Sequence, residues 1–301
     1  MDVLWTVAGV LLIALTVRDI FETLFHPLGR GYVGRLVVGG VSRVGHRVAG
    51  RIRTARVLIG PLGYISVVAT WAGLLVVGWA LIFFPHLPDG FLFDEGLDPE
   101  AHGDFADALY VSLVNLTSLG YGDISPQASL LRILGPVETL FGLGLLTASI
   151  SWLISIYGVI SRRDAFAHEV HLSKEAEGRL GETLVDADPE LMERMLTSFT
   201  TQLVASRRDL IHFPITHNFR TEDEERALSG LLPFLRRMVE EGSEEGRPHA
   251  VRVRAEMLGM AIDDFAETLR VRLRMPGETT DATLDHYDAH HRGSRRAGVA
   301  R

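Results

Sequence analysis

A run of seven residues near the middle of the chain, Thr117 to Asp123, has the residue types that a cation pathway needs. A cation enters a narrow pore only if oxygen ligands replace its water shell, and rings of backbone carbonyls can supply those ligands. Carbonyls turn to one side only where the backbone adopts alternating, partly left-handed dihedrals, which favours glycine. Gly120 and Gly122 meet this demand, and Tyr121 between them can turn outward and pack around the run. These residues therefore predict an ion-selectivity filter.

Apolar segments of membrane-spanning length flank this run. A spanning helix needs about 20 mostly apolar residues, and three segments meet that length: 3–25, 61–84 and 130–160. A fourth apolar stretch, 105–119, is too short to span and is followed by glycines, so it predicts a re-entrant segment. We therefore expect an all-α membrane protein with three transmembrane helices, a re-entrant pore helix and filter, and a cytoplasmic all-helical C-terminal domain.

The sequence Thr-Ser-Leu-Gly-Tyr-Gly-Asp over 117–123 resembles the filter signature of the prokaryotic potassium channel family. The resemblance covers about residues 61–160 and includes Pro126 after the filter and Arg132 at the start of the inner helix. It implies a subunit that conducts K+ passively and is gated at the inner helix, with the carbonyls of residues 118–122 replacing the hydration shell. K+ is then the permeant ion, no cofactor is expected, and the K+ sites lie at Ser118, Leu119, Gly120 and Tyr121.

The inner helix carries the expected gate and cavity. Gly142 stands at the hinge distance of the family, so the resemblance implies a gating hinge, with close helix packing as the alternative. For Gly144 we favour packing. Steps of three and four along the helix predict the cavity lining. It consists of Leu143, Leu146, Thr147, Ile150, Ser151 and Ile154.

Carboxyl groups near the filter are the next candidates. Glu138 lies inside the third apolar span, where a charge is costly and usually functional. It is either a brace behind the filter or a protonated carboxyl in a packing contact. Some family members brace the aspartate after the filter with a tryptophan and a glutamate on the pore helix. The corresponding positions here are Val111 and Val114, so Asp123 is expected to lack those two partners.

The number of filters per chain and the charges of the connecting segments predict the assembly and the orientation. Each chain has one filter and a fourfold carbonyl ring needs four, so geometry and resemblance both imply a homotetramer. The connection 26–57 has seven arginines and no acid, whereas 85–104 has six acids and no lysine or arginine. By the positive-inside rule we expect a plasma-membrane protein with its N-terminus outside and its C-terminus in the cytoplasm. We also expect the arginine loop 30–56 to contact anionic lipid.

Composition divides the 301 residues into five segments. These are an N-terminal transmembrane helix 1–25, a basic linker 26–57, a pore domain 58–160, a helical cytoplasmic domain 161–275 and a tail 276–301 expected to be disordered. Apolar periodicity predicts helices over 191–204, 228–239 and 251–273. The net charge of −8 argues against a nucleic-acid partner. No catalytic constellation is visible and there is no cysteine, so we do not expect an enzyme.

Three alternatives to the potassium channel remain. The first is a weakly selective cation channel, and the second is a potassium transporter subunit, which would carry four pore repeats instead of one. The third is a membrane scaffold whose pore is silent. Histidines in the C-terminal domain could sense protons or bind a metal, or be ordinary surface residues. They are His168, His171, His212 and His217.

Overall fold

The computed structural model describes residues 2–24, 31–48, 58–181, 183–186, 188–219 and 227–292. These parts of the chain are almost entirely helical. The helices are α1 Asp2–Leu24, α2 Tyr32–Val48, α3 Ile59–Phe83, α4 Phe105–Leu116, α5 Ser129–Leu180, α6 Pro189–His212, α7 Leu228–Gly242, α8 His249–Leu273 and α9 Thr280–Arg292. Short 3-10 helices occupy Phe84–His86, Pro99–Ala101, Leu184–Asp186 and Pro214–Asn218. Two antiparallel strands, β1 Phe91–Phe93 and β2 Ile124–Pro126, pair with Leu92 opposite Ser125.

Among the described residues, three helices are long and apolar enough to cross a membrane, which confirms the predicted all-α membrane protein. They are α1, α3 with the turn that follows it to His86, and α5. Helix α4 has only 12 residues, too few to cross a hydrocarbon layer of about 30 Å at 1.5 Å per residue. Helix α5 continues well beyond the predicted span, to Leu180, and it stays helical through Pro136.

The chain divides into two compact units, of which the first contains residues 1–41 and 62–154. In this unit α1 and α3 approach closely at two glycines. A Cβ atom at Gly9 would lie 2.5 Å from the carbonyl oxygen of Gly78. A Cβ atom at Gly78 would lie 2.7 Å from the side chain of Ile13. Only glycine permits this contact between the two backbones.

A buried carboxylate, Asp19, joins three helices of the first unit. Its Oδ1 atom accepts the backbone N–H groups of Tyr32 at 2.5 Å and Val33 at 2.9 Å, at the start of α2. Its Oδ2 atom accepts the indole N–H of Trp71 on α3 at 2.9 Å. The carboxylate thus satisfies N–H groups at the start of α2 that have no partner within that helix. A buried charge is tolerated here because three donors surround it.

The second unit contains residues 42–61 and 155–301, and its core lies between α6, α7, α8 and the later part of α5. Helix α6 begins where Asp188 accepts the N–H groups of Glu190 and Leu191, with Pro189 in the first turn. Helix α8 ends where Arg274 adopts a left-handed conformation, with φ of 54°. The three helices predicted from apolar periodicity are confirmed, and each is longer than the pattern indicated.

The predicted disordered tail from residue 276 is wrong for its first part, because α9 forms over Thr280–Arg292. The side chains of Leu284 and Tyr287 are buried in the core of the second unit. The Tyr287 ring meets Phe265 edge-on at 5.9 Å, and burial raises the pKa of its phenol. Two core side chains in a polar segment were too weak a pattern to predict a helix. Residues 293–301 lie outside the described part of the chain.

Replacing Asp19 with alanine is expected to destabilise the protein by about 3 kcal/mol, because one buried and two partly buried N–H groups lose their carboxylate acceptor. The measurement is thermal unfolding of the purified protein in detergent. Glu22→Gln is the control, since Glu22 accepts from Arg18 at 2.8 Å in an ion pair one turn apart on α1, in which the Arg18 side chain is exposed. Such a pair contributes at most about 1 kcal/mol. Equal unfolding temperatures for the two variants would contradict the structural role of Asp19.

Candidate ion-conduction site

Helix α4 directly precedes residues 117–123, which are called the filter below after their predicted role, and the start of the helix is fixed by a capping box. The Asp104 carboxylate accepts the N–H groups of Ala106 at 2.7 Å and Asp107 at 3.0 Å. In return, the Asp107 side chain accepts the N–H of Asp104 at 3.1 Å. The backbone hydrogen bond from Asp107 holds the pKa of Asp104 below its ordinary value. The helix therefore begins at a defined residue and ends at Leu116, directly before the filter.

The filter backbone alternates in handedness. Ser118, Gly120 and Gly122 have φ of 57°, 56° and 82°, and no other residue between Thr117 and Asp123 has a positive φ. This is the alternation that the sequence predicted, with one difference, because Ser118 adopts the left-handed region without being glycine. A non-glycine residue there costs about 1 kcal/mol or more, so the surroundings must hold it.

The beginning of the filter is held by the last turn of α4. The N–H of Ser118 donates to the Asn115 carbonyl at 3.0 Å, and the N–H of Leu119 donates to the Val114 carbonyl at 3.0 Å. The Thr117 hydroxyl donates to the Leu113 carbonyl at 2.7 Å. The C-terminal end of a helix carries partial negative charge, which favours a cation nearby. The filter therefore starts directly at the negative end of a helix.

The end of the filter is held by Asp123. The Tyr110 hydroxyl on α4 donates to Asp123 Oδ2 at 2.5 Å. The Asp123 carbonyl accepts the N–H of Asp94 at 2.8 Å, next to the pairing of β1 with β2. Val111 and Val114 are both buried apolar contacts. The sequence predicted that Asp123 lacks the tryptophan and glutamate partners of some family members. It did not identify Tyr110, the residue before Val111, as a different partner. A tyrosine on an otherwise apolar re-entrant helix was the signal that could have identified this partner.

The side chains of the filter have few neighbours within their own chain. Residues 117–122 are all exposed, with Leu119 58% and Tyr121 67% accessible. Tyr121 was expected to pack around the filter, but against the described residues of its own chain its side chain stays exposed. A strained backbone with exposed apolar side chains needs further contacts to be stable in a membrane.

Glu138 on α5 is completely buried and lies against α4, the pore helix predicted from the sequence. The Ser112 hydroxyl oxygen lies 2.5 Å from Glu138 Oε1 and 2.9 Å from the Val76 carbonyl of α3. A hydroxyl has one hydrogen and can donate to only one of these oxygens. If Ser112 donates to Val76, the remaining contact requires a hydrogen on Glu138. Both contacts are therefore satisfied when the carboxyl is protonated. The filter-brace role of Glu138 stays a prediction.

Gly142 is the point where α5 approaches the end of α4 most closely. A Cβ atom there would lie 1.9 Å from the carbonyl oxygen of Leu116, which real atoms cannot do. One turn earlier, the Thr139 hydroxyl donates to the Asn115 carbonyl at 2.9 Å. Gly144 has nothing within 4 Å of a Cβ atom in the described residues. The packing expected for Gly144 is thus found at Gly142, and the hinge role of Gly142 stays a prediction.

The predicted cavity-lining residues share one exposed stripe of α5. Each of the six is exposed in the single chain: Leu143, Leu146, Thr147, Ile150, Ser151 and Ile154. Leu145, Ser149 and Trp152 lie between them in sequence and are buried on the opposite face. The Tyr64 hydroxyl of α3 donates to the Ser149 carbonyl at 2.7 Å. Helix α5 therefore has one face buried on its own chain and one face exposed in the single chain.

The candidate histidines do not gather into a metal site. Across the described ranges, no group of three or more histidines, aspartates or glutamates is placed to hold a metal ion. The rings of His168 and His171 stack at 6.5 Å, and His217 stacks on Tyr287 at 5.9 Å.

Comparison with known proteins identifies the class of domain around the filter. Residues 69–158 match the model of a family described as "Ion channel". The match includes the filter, all of α4, most of α3 and the first part of α5. These residues therefore form an ion-channel domain.

The chain is also similar to an uncharacterized membrane protein of Bacillus subtilis (strain 168), YdjJ. The two are 26% identical over 167 residues, which is 55% of this chain and 48% of that protein. The chain thus spans about half the length of this curated relative. No solved structure matches the chain.

Substituting Gly142 with alanine is expected to destabilise the fold by about 2 kcal/mol or more, because the added methyl must displace the Leu116 carbonyl at the end of α4. Gly144→Ala is the matched control, with the same change two residues away and open space around it. The measurement is the unfolding temperature of both variants in detergent. A Gly142→Ala protein as stable as Gly144→Ala would refute the close approach of α4 and α5.

Proposed function

We propose that this chain is a subunit of a potassium-selective channel that conducts K+ passively and is gated at the inner helix α5. The observation that carries the proposal is the alternation of left-handed residues at Ser118, Gly120 and Gly122. This dihedral pattern brings successive carbonyl oxygens to one side of the backbone, where they can replace the water shell of a cation. The expected K+ ligands are the carbonyls of residues 118–122. Ser118 keeps a hydroxyl and Leu119 an aliphatic side chain in the positions where many potassium channels have threonine and valine.

A homotetramer completes this pore. One chain supplies one column of carbonyls, and a closed ring needs several copies around an axis. Two surfaces support such an assembly because they are exposed in the single chain: the filter residues 117–122 and the cavity stripe of α5. With four copies, Tyr121 and Leu119 would find their packing partners in neighbouring subunits. Negative ends of four α4 helices would then face the axis and favour a cation there.

The membrane placement follows the arginine distribution, with the N-terminus outside and the C-terminal domain in the cytoplasm. Helix α2 fits the surface of the membrane because its apolar residues Tyr32, Leu36 and Val44 are exposed beside the exposed Arg35 and Arg43. We propose that this face lies in the interface and that its arginines contact anionic headgroups. The other arginines of the loop are outside the described residues, or their side chains are: Arg30, Arg47, Arg51, Arg53 and Arg56.

The test is cation uptake by proteoliposomes loaded with potassium, comparing K+ and Rb+ with Na+ and Li+. We expect uptake of K+ and Rb+ over Na+, and we expect Gly120→Ala to abolish it, because alanine resists the left-handed conformation and narrows the pore. Gly96→Ala is the matched control, since Gly96 has φ of 107° in the loop before α4, with nothing within 4 Å of a Cβ atom.

Each outcome separates one candidate function from the others. Uptake of K+ and Na+ at equal rates would reject selectivity and leave a general cation channel. No uptake by the wild type, also after removal of residues 161–301, would reject the channel and favour the membrane scaffold. Loss of uptake in Gly96→Ala as well as Gly120→Ala would indicate misfolding and not a filter.

Tyr110→Phe is expected to lower the ratio of Rb+ to Na+ uptake about threefold to tenfold, because Asp123 loses a charge-assisted hydrogen bond of about 1.5–3 kcal/mol that holds the end of the filter. The measurement is the ratio of initial uptake rates in the same liposomes. Tyr64→Phe is the control, since it removes a tyrosine hydroxyl bonded to Ser149, away from the filter. An unchanged ratio in Tyr110→Phe would show that the filter does not depend on this contact.

A further inference from the structure

Within the second unit, one side chain of the C-terminal domain contacts both α3 and α5. Phe219 follows the short helix Pro214–Asn218 and is 7% exposed. Its ring lies against Gly60, in the first turn of α3, where a Cβ atom would come within 2.7 Å of the ring. On the other side it meets the ring of Tyr157 on α5 edge-on, with centroids 6.4 Å apart. Phe219 thus packs between the beginning of α3 and the middle of α5.

Two arginines of α5 hold the loop that carries Phe219 and the end of α6 that precedes it. The Arg163 guanidinium donates to the carbonyls of Thr216 and Phe219, each at 3.0 Å. The neighbouring Arg162 forms a two-pronged pair with Asp209 at the end of α6, with contacts of 2.9 to 3.0 Å. A guanidinium that bonds two carbonyls fixes both the position and the direction of the loop. The loop therefore moves with α5 at this level.

The contact with α3 has a different character, because it is apolar and depends on a glycine. No side chain intervenes between the α3 backbone at Gly60 and the Phe219 ring. The ring is nearly buried, so the contact removes apolar surface from water and is stable. A movement of α5 away from the beginning of α3 would carry the loop with it and expose the ring.

We propose that Phe219 is a gating contact that restrains the pore helices, linking the beginning of α3 to α5 and placing movement of α5 under the control of the C-terminal domain. The inference rests on the proposed channel function and goes beyond it by identifying the contact that the domain uses. A gate at the inner helix opens only if α5 moves relative to α3, and the buried ring opposes that movement. Loss of the ring favours the open pore, and a covalent bond at the same place holds it shut.

The chain has no cysteine, so a double variant Gly60→Cys with Phe219→Cys has a single pair of thiols per subunit. The Cβ atom at position 60 and the Cγ position of residue 219 are close enough for a disulfide. Proteoliposomes with this variant are assayed for K+ uptake after copper-phenanthroline oxidation and again after reduction. We expect oxidation to lower K+ uptake about tenfold, equivalent to about 1.4 kcal/mol of added restraint, and reduction to restore it. Each single-cysteine variant is a control and should not respond to oxidant.

A second pair of variants tests the contact without a covalent bond. Phe219→Ala is expected to raise K+ uptake about threefold or more, since the restraint is lost. Phe234→Ala is the matched control, because Phe234 on α7 is equally buried at 6% exposed and packs in the core of the same unit. Its loss weakens the domain but leaves the beginning of α3 and the middle of α5 in contact with Phe219. Phe234→Ala should therefore conduct as the wild type does.

The outcomes distinguish this proposal from the proposed function. If the disulfide does not form, or forms without changing uptake, the gating contact is overturned while the channel stands. Phe219→Ala that conducts at or below the wild-type rate, or no faster than Phe234→Ala, also overturns it. If neither the wild type nor Phe219→Ala takes up any cation, the channel proposal fails and the gating contact fails with it.

Discussion

A backbone that alternates between left- and right-handed residues cannot hold itself in place. It forgoes the regular hydrogen-bond ladder that stabilises helices and sheets, and at Ser118 it places a side chain in an unfavourable conformation. The filter therefore depends on the elements at its two ends. At the start, the last turn of α4 accepts hydrogen bonds from the filter backbone. At the far end, Asp123 joins the filter to Tyr110 and to the β1 strand segment.

The position of α4 depends in turn on α3 and α5. Ser112 stands between the Val76 carbonyl of α3 and the carboxyl of Glu138 on α5, so one hydroxyl links three helices. Gly142 lets the α5 backbone lie directly on the end of α4. A short helix of 12 residues has little stability of its own in water. These two contacts give the acid and the glycine of this span a structural role. Glu138 offers Ser112 a hydrogen-bonding partner that an apolar side chain could not. Gly142 permits a close approach that a larger side chain would prevent.

The sequence predicted the elements well because their signals are local. Apolar length identified the three spanning helices, glycine spacing indicated the left-handed backbone at Gly120 and Gly122, and periodicity identified the helices of the C-terminal domain. Contacts between distant residues were not predictable in the same way. Tyr110 was a visible candidate on the predicted pore helix, but its hydrogen bond to Asp123 depends on how the chain folds back. Nothing near Asp19 indicated that it would accept bonds from α2 and α3. Gly142 and Gly144 have similar sequence surroundings, and only the position of the Leu116 carbonyl distinguishes them.

The acidic loop between Asp94 and Asp104 is held at both ends by contacts close to the β1–β2 pair. The loop is fixed on one side by the bond from Asp94 to the Asp123 carbonyl. On the other side, His102 stacks on Phe93 at 6.3 Å and Asp104 caps α4. Most residues between these two anchors are exposed. Lengthening a loop between fixed ends costs only about 0.6 kcal/mol per doubling. Evolution can therefore vary the length and charge of this loop freely, and an epitope or a fluorescent label inserted there would leave the filter undisturbed.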